Sequence, residues 1–228
     1  MKLFELITTQ NKTIQSKSDF DFYKMNKDRD IESTGPESGA YAIGSQDKKD
    51  PHMYNKKHFL PSNLENDGYY QYVKAIQPYM AENPYFPRVY VVKLTKDSKG
   101  NILPEYKMEK LSPANEFSFS SILAMAKKMF KEFPDIPSGY NSHYIMSVIS
   151  RNLLSATSIR DFSNIADDNL KSALLLIDKI IESNDMINLD LHANNIMIRG
   201  TQIGPQLVIT DPLYDEGGNS RVGLKRGF

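Results

Sequence analysis

The sequence predicts an α+β fold, and three observations predict it. Its first half alternates short β-branched and aromatic runs with turns, its second half carries apolar residues at helical spacing, and a late hairpin is bracketed by polar residues. A chain of 228 residues that is 40% hydrophobic can bury a sizeable core, so its composition is that of a globular protein.

The elements follow in order. The segment to about Asp50 is polar, and within it Ser33-Thr34-Gly35-Pro36-Glu37-Ser38-Gly39 reads as a loop before a short strand in Ala40 to Gly44. Met53 to Leu60 reads as a second strand, and Tyr69, Tyr72, Val73 and Ile76 predict a short helix within Gly68 to Met80. Arg88 to Leu94 is β-branched and aromatic, Asp97-Ser98-Lys99-Gly100-Asn101 is a turn, and Ile102 to Met108 is the partner strand of a hairpin. Glu109 to Pro113 ends the strand-rich half. Beyond it Ile122, Met125, Ala126, Met129 and Phe133 share a helical face, and Tyr144, Ile145, Val148 and Leu153 mark a second helix less regularly. Asp167 or Asp168 caps the strongest helix, in which Leu170, Leu174, Ile177 and Ile181 recur. Ile196 to Arg199 and Leu207 to Thr210 then form a hairpin around Gly200 and Gly204-Pro205, and it ends on Asp211. No internal repeat or low-complexity tract interrupts this order.

Composition narrows the function. Lys+Arg and Asp+Glu are equal at 28 each, which removes the broad positive field of a sequence-tolerant nucleic-acid binder. With no cysteine, thiol redox chemistry, disulfides and thiolate zinc sites are excluded. No stretch approaches the ~20 apolar residues of a membrane span, so a soluble, cytoplasmic protein with no membrane partner is expected. The 13 tyrosines read as packing and interface groups.

The segment with chemistry is Asn188-Leu189-Asp190-Leu191-His192-Ala193-Asn194-Asn195-Ile196-Met197, in which a helix is expected to give way to a polar loop that enters a strand. Asp190 and Asn195 stand in the pattern D-x-x-x-x-N, and the hairpin returns Asp211 beside them. Phosphoryl transfer needs a carboxylate near the attacking hydroxyl and oxygen ligands for magnesium, because charge on the phosphate oxygens must be neutralised as the bond breaks. Asp190 would accept or orient the hydroxyl proton, while Asn195 and Asp211 would hold the metal. Each of the three alone could simply end a helix or cap a hairpin. Their joint order, D-L-H-x-x-N-I-M and then I-T-D-P, is far more specific. His192 has no second histidine nearby, and His52, His58 and His143 lack zinc spacing, so a structural role for His192 is expected.

The segment resembles the catalytic loop and metal-binding aspartate of the protein-kinase-like superfamily, including the aminoglycoside phosphotransferases. D-L-H-A-N-N-I-M-I-R and V-I-T-D-P resemble more closely still the early-gene serine/threonine protein kinases of short-tailed coliphages. The likeness is strongest over residues 188 to 213 and extends more weakly upstream through G-P-E-S-G-A-Y and the hairpin ending in Met108-Glu109-Lys110. It implies a two-lobed protein-kinase-like fold in one domain over residues 1–228. Residues 1–110 would form a small antiparallel-sheet N-lobe, and residues 111–228 a minimal, mostly helical C-lobe. It implies ATP and Mg2+ as cofactors and host proteins as substrates or targets, in the host cell cytoplasm. Gly35, Ser38 and Gly39 would cover the phosphates, since backbone without a side chain can approach them closely. Lys56 would grip the α- and β-phosphates, with Lys57 as its competitor because a one-residue slip in register exchanges them. Met108 to Leu111, including Glu109, would present backbone groups to adenine. The helix after the lysine lacks the usual glutamate partner, for which Glu65 or Asp67 would substitute.

The chain departs from ordinary protein kinases in three places: Asn188-Leu189 precedes Asp190, Pro212-Leu213 follows Asp211, and a short tail from Tyr214 to Phe228 ends the sequence. A long activation segment has no room, so substrate recognition is expected from the helical half, the N-terminal segment or a partner. Two further functions compete with an active serine/threonine kinase. One is a catalytically weak or inactive kinase fold that binds and inhibits a host protein; the other is a small-molecule phosphotransferase.

Overall fold

A computed structural model describes residues 41–46, 53–59, 64–96 and 102–215, and it is an α+β structure with small antiparallel sheets and four helices. The chain divides into two compact units. The first takes the described residues up to Val73 together with Val89–Glu109; the second takes Lys74–Arg88 and Lys110–Tyr214.

In the first unit four strands, β1 (Tyr41–Gln46), β2 (Met53–Phe59), β3 (Val89–Lys96) and β4 (Ile102–Glu109), form an antiparallel sheet in the order β1-β2-β4-β3. β3 and β4 form the expected hairpin, with a register irregularity between Val91 and Lys93; residues 97–101 of its turn lie outside the described residues. Helix α1 (Gly68–Ile76) buries Tyr69, Tyr72, Val73 and Ile76, the residues whose spacing predicts it. Asp67 begins it: this buried residue accepts the Tyr70 N–H on Oδ1 at 3.0 Å, so the first turn has a side-chain cap. Tyr69 meets Tyr106 of β4 edge to face at 4.9 Å between ring centres, a favoured aromatic geometry.

The core of the second unit is three helices packed with a hairpin. Helix α2 (Phe119–Met129) is capped by Ser118, α3 (Ser142–Ser158) by Asn141 and α4 (Asp168–Ser183) by Asp167; each cap side chain accepts backbone N–H groups of the first turn. Ile122, Met125, Ala126 and Met129 are buried on α2, but Phe133 lies beyond its end. The helix stops because Phe130 turns extended and bridges Ile165, and Phe133 instead stacks on Phe130. On α3 the buried stripe is Ile145, Met146, Ile149 and Leu153, whereas Tyr144 is exposed and stacks on Tyr140. Tyr144 and Val148 share the same i, i+4 spacing, so packing rather than period decides which face is buried. On α4 Leu170, Ala173, Leu174, Ile177 and Ile180 are buried, and Ile181 stands at the margin of the stripe.

Arg160 is the only non-glycine residue with positive φ among the described residues, at 55°. It ends α3 in a Schellman arrangement: its N–H donates to Thr157 O at 3.3 Å and that of Asp161 to Ala156 O at 3.0 Å. The guanidinium then bonds Asp178 and Glu182 on α4 at 3.1 and 2.8 Å, so a position that suits glycine is used to tie two helices.

The hairpin joins β6 (Ile196–Thr201) to β7 (Gly204–Ile209) through Gln202 and Ile203, with Ile198 opposite Leu207. Gly204 takes φ +123°, a conformation L side chains avoid. β6 also bridges Ser112, whose N–H and C=O both bond Ile198 at 2.9 Å. Strands β5 (Ile187–Leu189) and β8 (Leu213–Asp215) form a separate pair.

Residues Asn83 to Phe86 strap the hairpin to α4. Asn83 Nδ2 donates to Asn169 O at 2.7 Å, the Tyr85 hydroxyl donates to Asp167 Oδ2 at 2.9 Å, and Tyr85 O accepts from Ile209 N at 2.9 Å. Arg199 on β6 donates to Pro84 O and Phe86 O at 2.8 and 2.9 Å. Burial, reinforced by the Asp167 carboxylate, pushes the Tyr85 hydroxyl well above the ordinary tyrosine range.

Tyr85→Phe should cost about 2 kcal/mol in urea unfolding at neutral pH, because a hydrogen bond to a charged acceptor is lost. The raised hydroxyl stabilises the fold below the unfolded tyrosine value of about 10, and that contribution is lost as pH rises above it. The alkaline decline in stability should therefore be flatter in Tyr85→Phe than in the parent chain. Gly204→Ala should cost about 1–2 kcal/mol through backbone conformation alone, since an added Cβ would meet nothing within 4 Å; thermal unfolding measures it.

Candidate functional site

The site lies in the second unit, where β5, β6 and β7 end near one another. α4 stops at Ser183, and Asn184 turns the chain: its Oδ1 accepts Met186 N at 3.0 Å and its carbonyl accepts Ile187 N at 3.0 Å. Buried Ile187 then opens β5, so a short strand separates the helix from the polar loop where the sequence suggests direct passage. Pairing with β8 supplies the reason, because a three-residue strand has partners that no local pattern displays.

Asp190 leaves β5 with its N–H donating to Pro212 O at 2.7 Å, one residue past Asp211. Buried Leu191 anchors the loop. His192 caps the 3-10 turn at Ala193–Asn195: Nδ1 accepts the Asn194 N–H at 3.2 Å, which assigns its proton to Nε2. That nitrogen lies 3.6 Å from Asp190 Oδ2, beyond hydrogen-bond range. The expected structural role of His192 thus has a specific form, closing the turn that presents Asn195.

Asn195 joins the parts. Its Nδ2 donates to Asp190 O at 2.7 Å and to Asp190 Oδ2 at 3.1 Å, and its N–H donates to His192 O at 2.9 Å. Its carbonyl accepts Thr210 N and Thr210 Oγ1, each at 2.9 Å, and lies 3.4 Å from Asp211 N. One residue therefore holds Asp190 with its side chain and the entry to Asp211 with its backbone. The Asp190 side chain keeps 41% of its surface exposed, so its carboxylate is accessible to an external hydroxyl.

Asn195 and Asp211 are the residues here that could hold a hard cation. With Nδ2 turned to Asp190, the Asn195 amide directs Oδ1 away from it; that oxygen and the half-buried Asp211 carboxylate are hard oxygen donors. Among the described residues no three His, Cys, Asp or Glu side chains gather into an all-protein cage. Two oxygen-bearing side chains are the usual protein share of a magnesium shell completed by substrate phosphates and water.

Of the other sequence-predicted residues, most of those described belong to the first unit. Lys56 pairs in register with Gly44 and Tyr106, and Lys57 with Ile43 and Glu105. Glu109 is buried at the end of β4, and Leu111 is buried in the second unit. Glu65 is exposed, and Asp67 uses Oδ1 to cap α1. Gly35, Ser38, Gly39 and the tail beyond Asp215 lie outside the described residues. Thr210 and Pro212 belong to the I-T-D-P motif, but the sequence assigned them no role; the structure shows them bonding Asn195 and Asp190. No known protein family's profile matches the chain, and no curated protein matches it.

Asn195→Ala should destabilise the chain by about 1–3 kcal/mol by leaving the Asp190 acceptors without their donor. Asn195→Asp should cost more at neutral pH, because it sets a second carboxylate against Asp190 Oδ2, and the excess over Asn195→Ala should shrink in acid. Chemical denaturation at two pH values measures both.

Proposed function

We propose that this chain is an ATP- and magnesium-dependent serine/threonine protein kinase with a two-lobed, kinase-like fold. The observation that carries the reading is the gathering of Asp190, Asn195 and Asp211 by the hydrogen bonds of Asn195. The first unit, with its four-stranded sheet, is read as the N-lobe and the second as the C-lobe. The substrates are read as host proteins in the cytoplasm, on the resemblance to coliphage kinases.

Asp190 orients the serine or threonine hydroxyl and takes its proton as the oxygen attacks the γ-phosphorus; the bond to the β,γ-bridging oxygen breaks and ADP leaves. The Asn195 amide donor keeps the Asp190 carboxylate in place by bonding Oδ2, which leaves Oδ1 for the hydroxyl. Asn195 Oδ1 and Asp211 would hold magnesium, which when bound neutralises charge on the phosphate oxygens. For the phosphates and adenine, the resemblance alone nominates Lys56, Gly35, Ser38, Gly39 and the Glu109 to Leu111 backbone.

One observation favours a second reading, a kinase-like fold that binds and inhibits a host protein without efficient catalysis. Helix α1 reads Gly-Tyr-Tyr-Gln-Tyr-Val-Lys-Ala-Ile and contains no carboxylate to pair with the strand lysine, while Asp67 caps that helix. Incubation of the purified chain with labelled ATP, magnesium and cell lysate separates the two. Label on lysate proteins, reduced by at least ~100-fold in Asp190→Ala and Asp211→Ala folded as the parent, is expected, since a general base contributes about that much. No label together with retained capture of a lysate protein supports the second reading and overturns the first.

A further inference from the structure

Thr210 is 7% exposed and lies one residue past β7, at the end of the apolar run Leu207-Val208-Ile209. Valine would continue that run with nearly the same shape, so the hydroxyl is what distinguishes the residue chosen. Its Oγ1 donates to the Asn195 carbonyl at 2.9 Å, the same oxygen that receives the Thr210 N–H at 2.9 Å. Asp211 follows directly, with its own N–H 3.4 Å from that oxygen.

We infer that Thr210 is a positioning residue of the phosphoryl-transfer site, its buried hydroxyl setting where Asn195 stands relative to Asp211. The inference rests on the kinase reading of that site. Asn195 is steadied on its side-chain side by Asp190 and on its main-chain side by Thr210. Without the hydroxyl, the Asn195 carbonyl keeps only backbone donors, both from residues that move with the end of β7. The hydroxyl adds a side-chain donor to the same oxygen and so opposes rotation of the Asn195 peptide, which would displace its side-chain oxygen. A pair of oxygen ligands from two separate connecting segments would be sensitive to that displacement, because magnesium demands near-ideal octahedral geometry. Groups one bond removed from a metal ligand typically tune affinity or activity by 10–100-fold.

The test compares Thr210→Val, Thr210→Ala and Thr210→Ser in the 228-residue chain, following γ-phosphate transfer to a protein substrate against magnesium concentration at saturating ATP. Val and Ala should lower kcat and raise the magnesium concentration for half-maximal rate by roughly tenfold, with Ser within about twofold of the parent and KM for the protein substrate unchanged. Thermal unfolding is read in parallel. If Val does not fold, the Ser and Ala pair decides, since the two differ only in the hydroxyl oxygen. Equal magnesium dependence in Ser and Ala, or a Val variant matching the parent, overturns the inference while leaving the kinase reading intact. A parent chain that transfers no phosphate overturns the kinase reading, and the inference falls with it.

Discussion

The carbonyl oxygen of Asn195 receives the backbone and hydroxyl donors of Thr210, and the side-chain amide of the same residue donates twice to Asp190. The rest of the site depends on that double use. An asparagine offers both donor and acceptor in one short side chain, while its backbone remains available for another strand. Aspartate could not hold Asp190, and glutamine would place the amide one carbon too far along. Within the loop between β5 and β6, Asn195 thus adds to the Leu191 anchor and the His192 cap the bonds that tie Asp190 to Thr210.

That residue is useful only if the strands around it do not shift. The strap at Asn83–Phe86 supplies the restraint, by grasping the cap of α4, the backbone of β7 and, through Arg199, the backbone of β6. These are hydrogen bonds between partly or fully buried groups, so each broken one leaves a desolvated partner behind. Tyr85 is the busiest member: its carbonyl binds Ile209, two residues before Asp211, and its hydroxyl binds the residue that caps α4. Burial comes from α2 packed on β7 and from α3 packed on α2 and α4, and the polar strap ties α4 to the hairpin.

The proposed kinase reading draws on the exposed Asp190 carboxylate and on oxygen atoms of Asn195 and Asp211. Asp190 Oδ2 is engaged by Asn195, yet the side chain remains accessible, and the Asn195 oxygen and the Asp211 carboxylate are both hard donors. A carboxylate open to a hydroxyl beside oxygen ligands is what transfer of a phosphoryl group asks of a protein, since little covalent chemistry is required of it. On that same proposal, the absence of a carboxylate in α1 would bear on a different step, the grip on the α- and β-phosphates.

The sequence by itself determined the elements whose signals are local. The hairpin of β3 and β4, the α4 stripe with its Asp167 cap and the order Asp190, Asn195, Asp211 can all be read from spacing, because each depends on neighbours within a few residues. Tertiary structure decided the rest. The early end of α2 before Phe133 comes from a bridge to Ile165, the buried face of α3 from what packs on it, and the strand at Ile187–Leu189 from its pairing with β8. The parts of Thr210, Pro212 and the Tyr85 strap arise from hydrogen bonds between residues distant in the chain. No periodicity reports such bonds, since a buried donor finds its acceptor only after the strands that carry both have been brought together.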